Sequence, residues 1–385
     1  MKPERQPGQS PLTPLPPSSA RPLLLCFSHL RWNFVWQRPQ QLMSRLARDY
    51  DVAFFEEPLF EERPDAVLDT QTVAEGVTVL LPRLPAGLDE AQVADAQRQL
   101  LDTWLAPQSL TSLLLWYFTP MSMTFSAHLQ GQMVIFDCMD ELSAFRHAPA
   151  RLTELEHELL ARADVVFAGG YSLWKSRTQR HGNVHLLPSG VDIAHFAKAR
   201  EAQPEPPDQA GIGRPRLGYF GVIDERLDLA LLEALARQRP AWQIVLIGPV
   251  VKIDPATLPR LANLHYLGAR PYAELPAYLA GWEVALMPFA MNELTRFISP
   301  TKAPEYLAGG RPVVSTPIHD VLNRFDGNGA VLIGATPDEF IAAAEAALQL
   351  AREPWQVVEK VDSLIKNMSW DSTCELIREQ IECQR

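Results

Sequence analysis

The stretch Ser299-Pro300-Thr301-Lys302-Ala303-Pro304-Glu305-Tyr306-Leu307-Ala308-Gly309-Gly310-Arg311-Pro312-Val313-Val314 packs a helix start, a charged pair, a glycine stop and a strand into one short run. Ser or Thr caps a helix by accepting bonds from its first free amides, and proline is tolerated among those amides because they lack intrahelical partners. The same amides and the helix dipole favour an anion. Lys302 adds a formal charge there, and Glu305, about one turn on, can accept bonds from vicinal sugar hydroxyls. With Ser299 as cap, Pro304 falls at the fifth helical position and costs a backbone bond. With Thr301 as cap it falls at the third, where it is harmless, so the second register is favoured. An ordinary helix-to-strand connection would carry the same capped start.

Working outward, 385 residues suffice for two domains of ordinary size. A hydrophobic fraction of 47% with 21% charged residues is that of a globular protein with material for buried cores. The formal charge of −11 argues against nucleic acid as a partner, because that work needs a basic face. Cys26, Cys138, Cys374 and Cys383 show no metal-ligand or redox spacing, which fits a reducing compartment. Leu23 to Phe27 is too short for a signal segment, and no apolar run approaches the roughly 20 residues of a membrane span. The expected location is the cytoplasm, with peripheral contact at the inner face of the membrane allowed.

Residues 1–20 hold six prolines and are expected to be a disordered tail. From there strand patterns alternate with helical ones: Leu23 to Phe27, Val52 to Phe55, Val77 to Leu81, Ser112 to Phe118, Met133 to Phe136, Val165 to Ala168 and Val184 to Leu187. That alternation implies a doubly wound parallel sheet over 21–200. Residues 201–215, rich in proline, acid and glycine, read as a linker. Strand patterns resume at Leu217 to Phe220, Gln243 to Ile247, Leu264 to Leu267, Val284 to Met287, Val313 to Ser315 and Ala330 to Ile333. Helices between them, including one from Pro337 to Glu353, define a second α/β domain over 216–365. Ser369-Trp370-Asp371 caps a last helix in 366–385, which is free to cross back onto the first domain. Two such sheets bind ligands at the carboxyl ends of their strands, so a cleft with one ligand on each wall is expected.

Three motifs stand in order: Phe136-Asp137-Cys138-Met139-Asp140-Glu141-Leu142 at a strand end, Leu187-Pro188-Ser189-Gly190-Val191-Asp192 followed by Phe196, and the opening stretch. Together they resemble a GT-B glycosyltransferase, similar to the retaining family 4. That resemblance implies two Rossmann-like domains facing across a cleft, and it covers nearly everything after the tail. Ser28-His29-Leu30-Arg31-Trp32 with Gln37-Arg38-Pro39-Gln40 resembles a bacterial branch concerned with cell-envelope and exopolysaccharide sugars. The resemblance places the nucleotide-sugar donor on the C-terminal domain and the acceptor on the N-terminal one. It assigns Glu305 to the ribose hydroxyls and the segment Pro300, Thr301 and Lys302 to the diphosphate. Gly221 would let backbone approach the phosphates, and Arg226 is the nearest phosphate-binding base. The family usually carries an Arg and a Lys five residues apart after that glycine, whereas here Arg226 stands alone. Its paired glutamates stand eight positions apart, and the position eight before Glu305 is Phe297.

For catalysis, Asp137 and Asp140 are the first candidates: a strand-end carboxylate can position an acceptor hydroxyl or support positive charge on the donor's anomeric carbon. As caps of the following turn they would do neither. His29 and Arg31 lie in the loop after the first strand, with His29 either in the site or at the surface. Arg31, Trp32 and Trp36 are candidates for the acceptor, the aromatics by stacking on sugar or lipid or by closing the cleft. Asp49-Tyr50-Asp51 precedes a strand, at the wrong end of a sheet for a metal-diphosphate site, and reads as a turn. No metal and no cofactor are expected beyond the donor substrate.

The expected activity is transfer of a sugar from a nucleotide diphosphate sugar to a glycan or lipid-linked acceptor, with retention and without a metal. A nucleotide-sugar epimerase and an inactive binding subunit paired with another transferase are the alternatives.

Overall fold

The computed structural model describes residues 21–108, 112–145, 148–293, 295–299, 301–325 and 327–384. The expectation for residues 1–20 therefore lies outside the described residues. The first sheet is built from β1 Leu23–Phe27, β2 Asp51–Phe55, β3 Leu59–Glu61, β4 Val67–Thr72, β5 Val77–Pro85, β6 Leu113–Tyr117, β7 Met133–Cys138, β8 Val165–Ala168 and β9 Val184–Leu186. Its order is β3-β5-β2-β1-β6-β7-β8-β9, with β4 running antiparallel along β5. The second sheet comprises β10 Arg216–Phe220, β11 Gln243–Ile247, β12 Leu264–Gly268, β13 Val284–Met287, β14 Val313–Ser315 and β15 Val331–Ile333, in the order β12-β11-β10-β13-β14-β15. The second order is that of a Rossmann domain, and the first has the same reversal between β1 and β6.

The continuous apolar runs become central strands because parallel strands covered on both faces bury every side chain. All five residues of β6 are buried. Along β1, Leu24 and Cys26 enter one core layer while Leu25 and Phe27 enter the layer on the opposite face, as the two-residue repeat of a strand requires. The second domain has one continuous core, from Leu217 and Ile244 to Val357 and Ile365.

The helix Trp370–Cys383 starts at Ser369, whose Oγ accepts from the Ser372 N–H at 3.0 Å. It leaves the second domain and buries Trp370, Cys374, Ile377 and Ile381 beside Leu24, Leu42 and Met43 of the first. Val191 N–H donates to Met368 O at 2.7 Å as the chain crosses. Gly190 lies so close beneath this crossing that a Cβ there would sit 2.7 Å from the Trp370 backbone nitrogen.

Three local features differ from the sequence reading. β3 and β4 form an added edge that short, largely exposed segments do not announce. The helical run from Pro337 ends at Leu350, and a second helix, Pro354–Ile365, starts afresh with proline in its first turn. Residues 201–215 contain the short helix Pro207–Ala210, held in part by Gln209, which donates to Tyr278 O at 3.1 Å.

Candidate active site in the interdomain cleft

A cleft of about 140 Å³ opens where the carboxyl ends of both sheets face each other. One wall carries Gly221, Arg226, Thr301, Lys302 and Glu305; the other carries Trp36, Arg38 and Asp140.

The second-domain wall starts where β10 ends. Gly221 has φ +152°, and a Cβ there would lie 2.5 Å from Tyr219 Oη. Glycine meets both constraints and leaves the backbone open to a ligand. Buried Asp224 then fixes Arg226: its carboxylate takes the Arg226 N–H at 3.0 Å and Nε at 2.9 and 3.0 Å. Burial works against the Arg226 charge and Asp224 more than offsets it, so its pKa is raised. The guanidinium is therefore presented to the cleft in a set orientation.

The helix Lys302–Ala308 has Thr301 at its cap position, which puts Pro304 third, though the Thr301 hydroxyl makes no cap bond. Pro300 lies outside the described residues. Lys302 Nζ stands 2.9 Å from Glu305 Oε2 and 5.3 Å over the Phe220 ring. Glu305 is 8% exposed; burial pushes its pKa up and Lys302 opposes the shift. Tyr306 ties the helix to β10, its hydroxyl accepting from the Phe220 N–H at 3.0 Å. The helix stops at Gly310, φ +72°, where Arg311 N–H reaches Tyr306 O at 3.0 Å. That closing loop favours glycine.

On the first-domain wall only part of the expected set faces the cleft. Asp140, half-buried, lines it. Burial raises its pKa, and Arg226 and Lys252 of the second domain pull it back. Asp137 is withdrawn: it is 0% exposed and pinned by Arg38, whose Nε lies 2.9 and 3.1 Å from its two oxygens. A carboxylate so held has no oxygen to offer an acceptor hydroxyl, which corrects the expectation for Asp137. Trp32 is likewise corrected. It is 4% exposed, with its ring edge-on to Trp36 at 5.7 Å and to Phe54 at 5.2 Å, so it builds the core that carries the loop. Arg31 turns towards the segment after β2, reaching Glu56 at 3.3 Å, Glu57 O at 3.1 Å and Pro58 O at 3.2 Å. These three bonds hold it against that loop, and it does not line the cleft, which corrects the acceptor reading. Trp36 is half-buried and does line the cleft.

His29 keeps a buried Nδ1 without a hydrogen-bond partner among the described residues. Its pKa is lowered to about 4 by burial and then by Lys252, against a bond to the Phe118 backbone. The ring is neutral at pH 7, with a free acceptor nitrogen.

Three participants escaped sequence reasoning. Arg38 stood in a quoted motif, but nothing local ties it to Asp137, 99 positions away. Trp370 reaches the cleft only because the last helix crosses over. Lys252, φ +62°, is the one described non-glycine residue with a left-handed backbone, and its ammonium stands 4.2 Å over the Phe145 ring of the other domain. Among the described residues no group of three His, Cys, Asp or Glu side chains could hold a metal. Asp49 of the Asp-x-Asp turn pairs with Arg378 at 2.6 Å, at the amino end of β2 and away from the cleft.

Two doubly wound domains with a cleft between their strand ends constitute the GT-B fold. Residues 214–350 match the family model described as Glycosyl transferases group 1. The chain is 28% identical over 256 residues to a protein of Bacillus subtilis (strain 168) described as putative teichuronic acid biosynthesis glycosyltransferase TuaH, the match covering 61% of this chain and 63% of that one. The chain thus matches less than two thirds of that relative's length. Among solved structures, sucrose-phosphate synthase from Thermosynechococcus elongatus superposes with a TM-score of 0.71 at 15% identity, covering 94% of this chain and 98% of that one. Anabaena HepE in complex with UDP and glucose superposes with a TM-score of 0.67 at 13% identity, covering 93% and 99%. At such identities the likeness is one of fold.

Proposed function

We propose that this protein is a glycosyltransferase that moves a sugar from a nucleotide diphosphate sugar to a glycan or lipid-linked acceptor of the cell envelope, with retention. The observation that carries the reading is the juxtaposition, across one cleft, of Arg226 and Lys302 with Asp140. The fold likeness to HepE, whose structure holds UDP and glucose, and the relative described as a teichuronic acid glycosyltransferase support it.

In this reading Arg226, Lys302 and the amides near Thr301 hold the donor diphosphate. Glu305 accepts from the ribose hydroxyls. As the bond between the anomeric carbon and the phosphate oxygen breaks, negative charge grows on the diphosphate beside two fixed cations, which lowers the barrier electrostatically. The acceptor oxygen forms the new bond to the anomeric carbon, and its proton passes to the departing phosphate. Asp140 positions that hydroxyl. Two cations already face the leaving group, so this chemistry has no need of a divalent ion. Closure of the cleft excludes water and suppresses donor hydrolysis. No helix among the described residues is long and apolar enough to cross a membrane. In this reading a lipid-linked acceptor is met by peripheral contact at the cytoplasmic face.

A thermal-shift screen with nucleoside diphosphates and nucleotide sugars tests the proposal. A ligand at about 100 times its dissociation constant stabilises by about 2.7 kcal/mol, so at least one should raise the melting temperature. If none does, the donor site is misassigned.

A further inference from the structure

A second and larger groove, about 400 Å³, lies between the domains and is lined by Ser172, Lys175, Ser176, Gln179, Arg296, Phe297 and His319. One wall is a single helical face: Ser172, Lys175, Ser176 and Gln179 recur at the i, i+3, i+4, i+7 spacing, on and just beyond the helix Tyr171–Arg177. Every side chain on that face can donate a hydrogen bond, and none is acidic. The opposite wall comes from the second domain. Arg296 stands 5.4 Å over the Phe297 ring, and His319 stacks at 5.9 Å and 11° on Tyr171 of the first domain.

The two walls are fixed relative to each other. Asp320 Oδ1 accepts from the Ser172 N–H at 3.1 Å and from its Oγ at 2.6 Å, which joins the domains, while the buried Oδ2 has no hydrogen-bond partner among the described residues. Glu293 approaches Arg296 at 3.7 Å but is 86% exposed, where such a pair is worth little. Lys175 has no ion-pair partner among the described residues. The groove thus carries two exposed cations, amide and hydroxyl donors and one aromatic ring, with the Asp320 and Glu293 carboxylates at its edge.

It also adjoins the donor cleft. Gly169 and Ser299 line the cleft, Ser172 and Phe297 line the groove, and a Cβ on Gly170 would lie 2.6 Å from Ser299 Cβ. Phe297 occupies the place where a glutamate is expected from the family resemblance. It does not line the donor cleft and packs on the core of the first domain.

We propose that this groove is a subsite for an anionic saccharide, the charged repeat of a growing polysaccharide, held by Lys175 and Arg296 with Gln179 and the Phe297 ring. This extends the transferase reading by naming the acceptor's chemistry. Aromatic and amide groups suit sugar rings, and the paired cations suit a carboxylate or phosphodiester on them.

The test is calorimetric titration of the full chain with a galacturonate hexamer, its methyl ester and a poly(glycerol phosphate) oligomer. The wild type should bind at least one anionic probe, with the ester at least tenfold weaker than the free acid if the carboxylate is the source. Lys175→Glu combined with Arg296→Glu, both at exposed positions, should weaken that probe at least tenfold and leave nucleoside diphosphate affinity unchanged. Equal binding by the variant and the wild type, or no binding of either anionic probe to the wild type, overturns the proposal. Loss of nucleoside diphosphate binding by the wild type, with the anionic probe still dependent on Lys175 and Arg296, would sink the transferase reading and leave the groove standing.

Discussion

Arg38 and Asp137 form an ion pair with side-chain exposures of 2% and 0%, the Arg38 Nη2 lying 2.9 Å from Asp137 Oδ1. Arg38 Nη1 also donates to Leu187 O at 2.9 Å. One guanidinium therefore bolts together the first helical turn after β1, the end of β7 and the exit from β9. Asp140 stands three residues beyond Asp137, so the pair sets where the cleft-facing carboxylate stands.

Breaking that pair from one side should be costly. Asp137→Ala leaves a buried guanidinium without its counter-charge and should destabilise the protein by about 3–5 kcal/mol. The double change Arg38→Met with Asp137→Leu removes both charges and should lose less than Asp137→Ala alone. Urea unfolding of the wild type and the two variants checks this; a double variant that loses as much as Asp137→Ala would contradict it.

The donor clamp makes a separate prediction. Lys302→Ala removes a cation from the diphosphate and strands the buried Glu305 carboxylate. Nucleoside diphosphate affinity should fall at least tenfold, about 1.4 kcal/mol, while Lys302→Arg should retain most of it. Calorimetry with the diphosphate and the matching monophosphate separates charge from a general loss of fold, since the monophosphate should suffer less.

Gly190→Ala should destabilise the molecule, because the added Cβ would meet backbone of Ser369 and Trp370 that cannot rotate away. Overpacking of this kind costs about 1–3 kcal/mol. The change should also loosen the last helix, read as faster amide exchange across Trp370–Cys383 than across Lys302–Ala308.

His29 gives a pH signature. Its folded value of about 4 lies below the ordinary 6.5, so between these values the unfolded chain binds more protons. Its contribution is therefore fully present above pH 6.5 and is lost as pH falls towards 4. The span corresponds to on the order of 2–3 kcal/mol after allowing for solvent at the partly accessible ring. His29→Gln should flatten the fall in stability over that window, measured by denaturant unfolding at several pH values; an unchanged slope would count against the neutral buried ring.

The two sheets were legible because parallel strands covered on both faces must be apolar throughout, and Leu23–Phe27 and Gln243–Ile247 largely are. The helix register at Thr301 was legible too, since proline tolerates only certain positions near a helix start. Local chemistry of that kind also pointed to Lys302 and Glu305, and the family resemblance added Gly221 and Arg226; all four line one wall of the cleft. It could not reveal β3 and β4, short and largely exposed segments whose few apolar residues keep no strand alternation.

What the sequence determined by itself was the repeating α/β pattern, the two domains and the charged helix start at Lys302, all consequences of spacing within a few residues. Tertiary structure alone decided which carboxylate faces the cleft. Asp137 and Asp140 look equivalent along the chain, but Arg38 arrives from 99 positions away and neutralises the first. It likewise turned Trp32 into core, brought Trp370 to the cleft and faced Lys175 with Arg296 across a groove. Each depends on contacts between segments distant in sequence, and burial and charge pairing in three dimensions are what give a side chain its role.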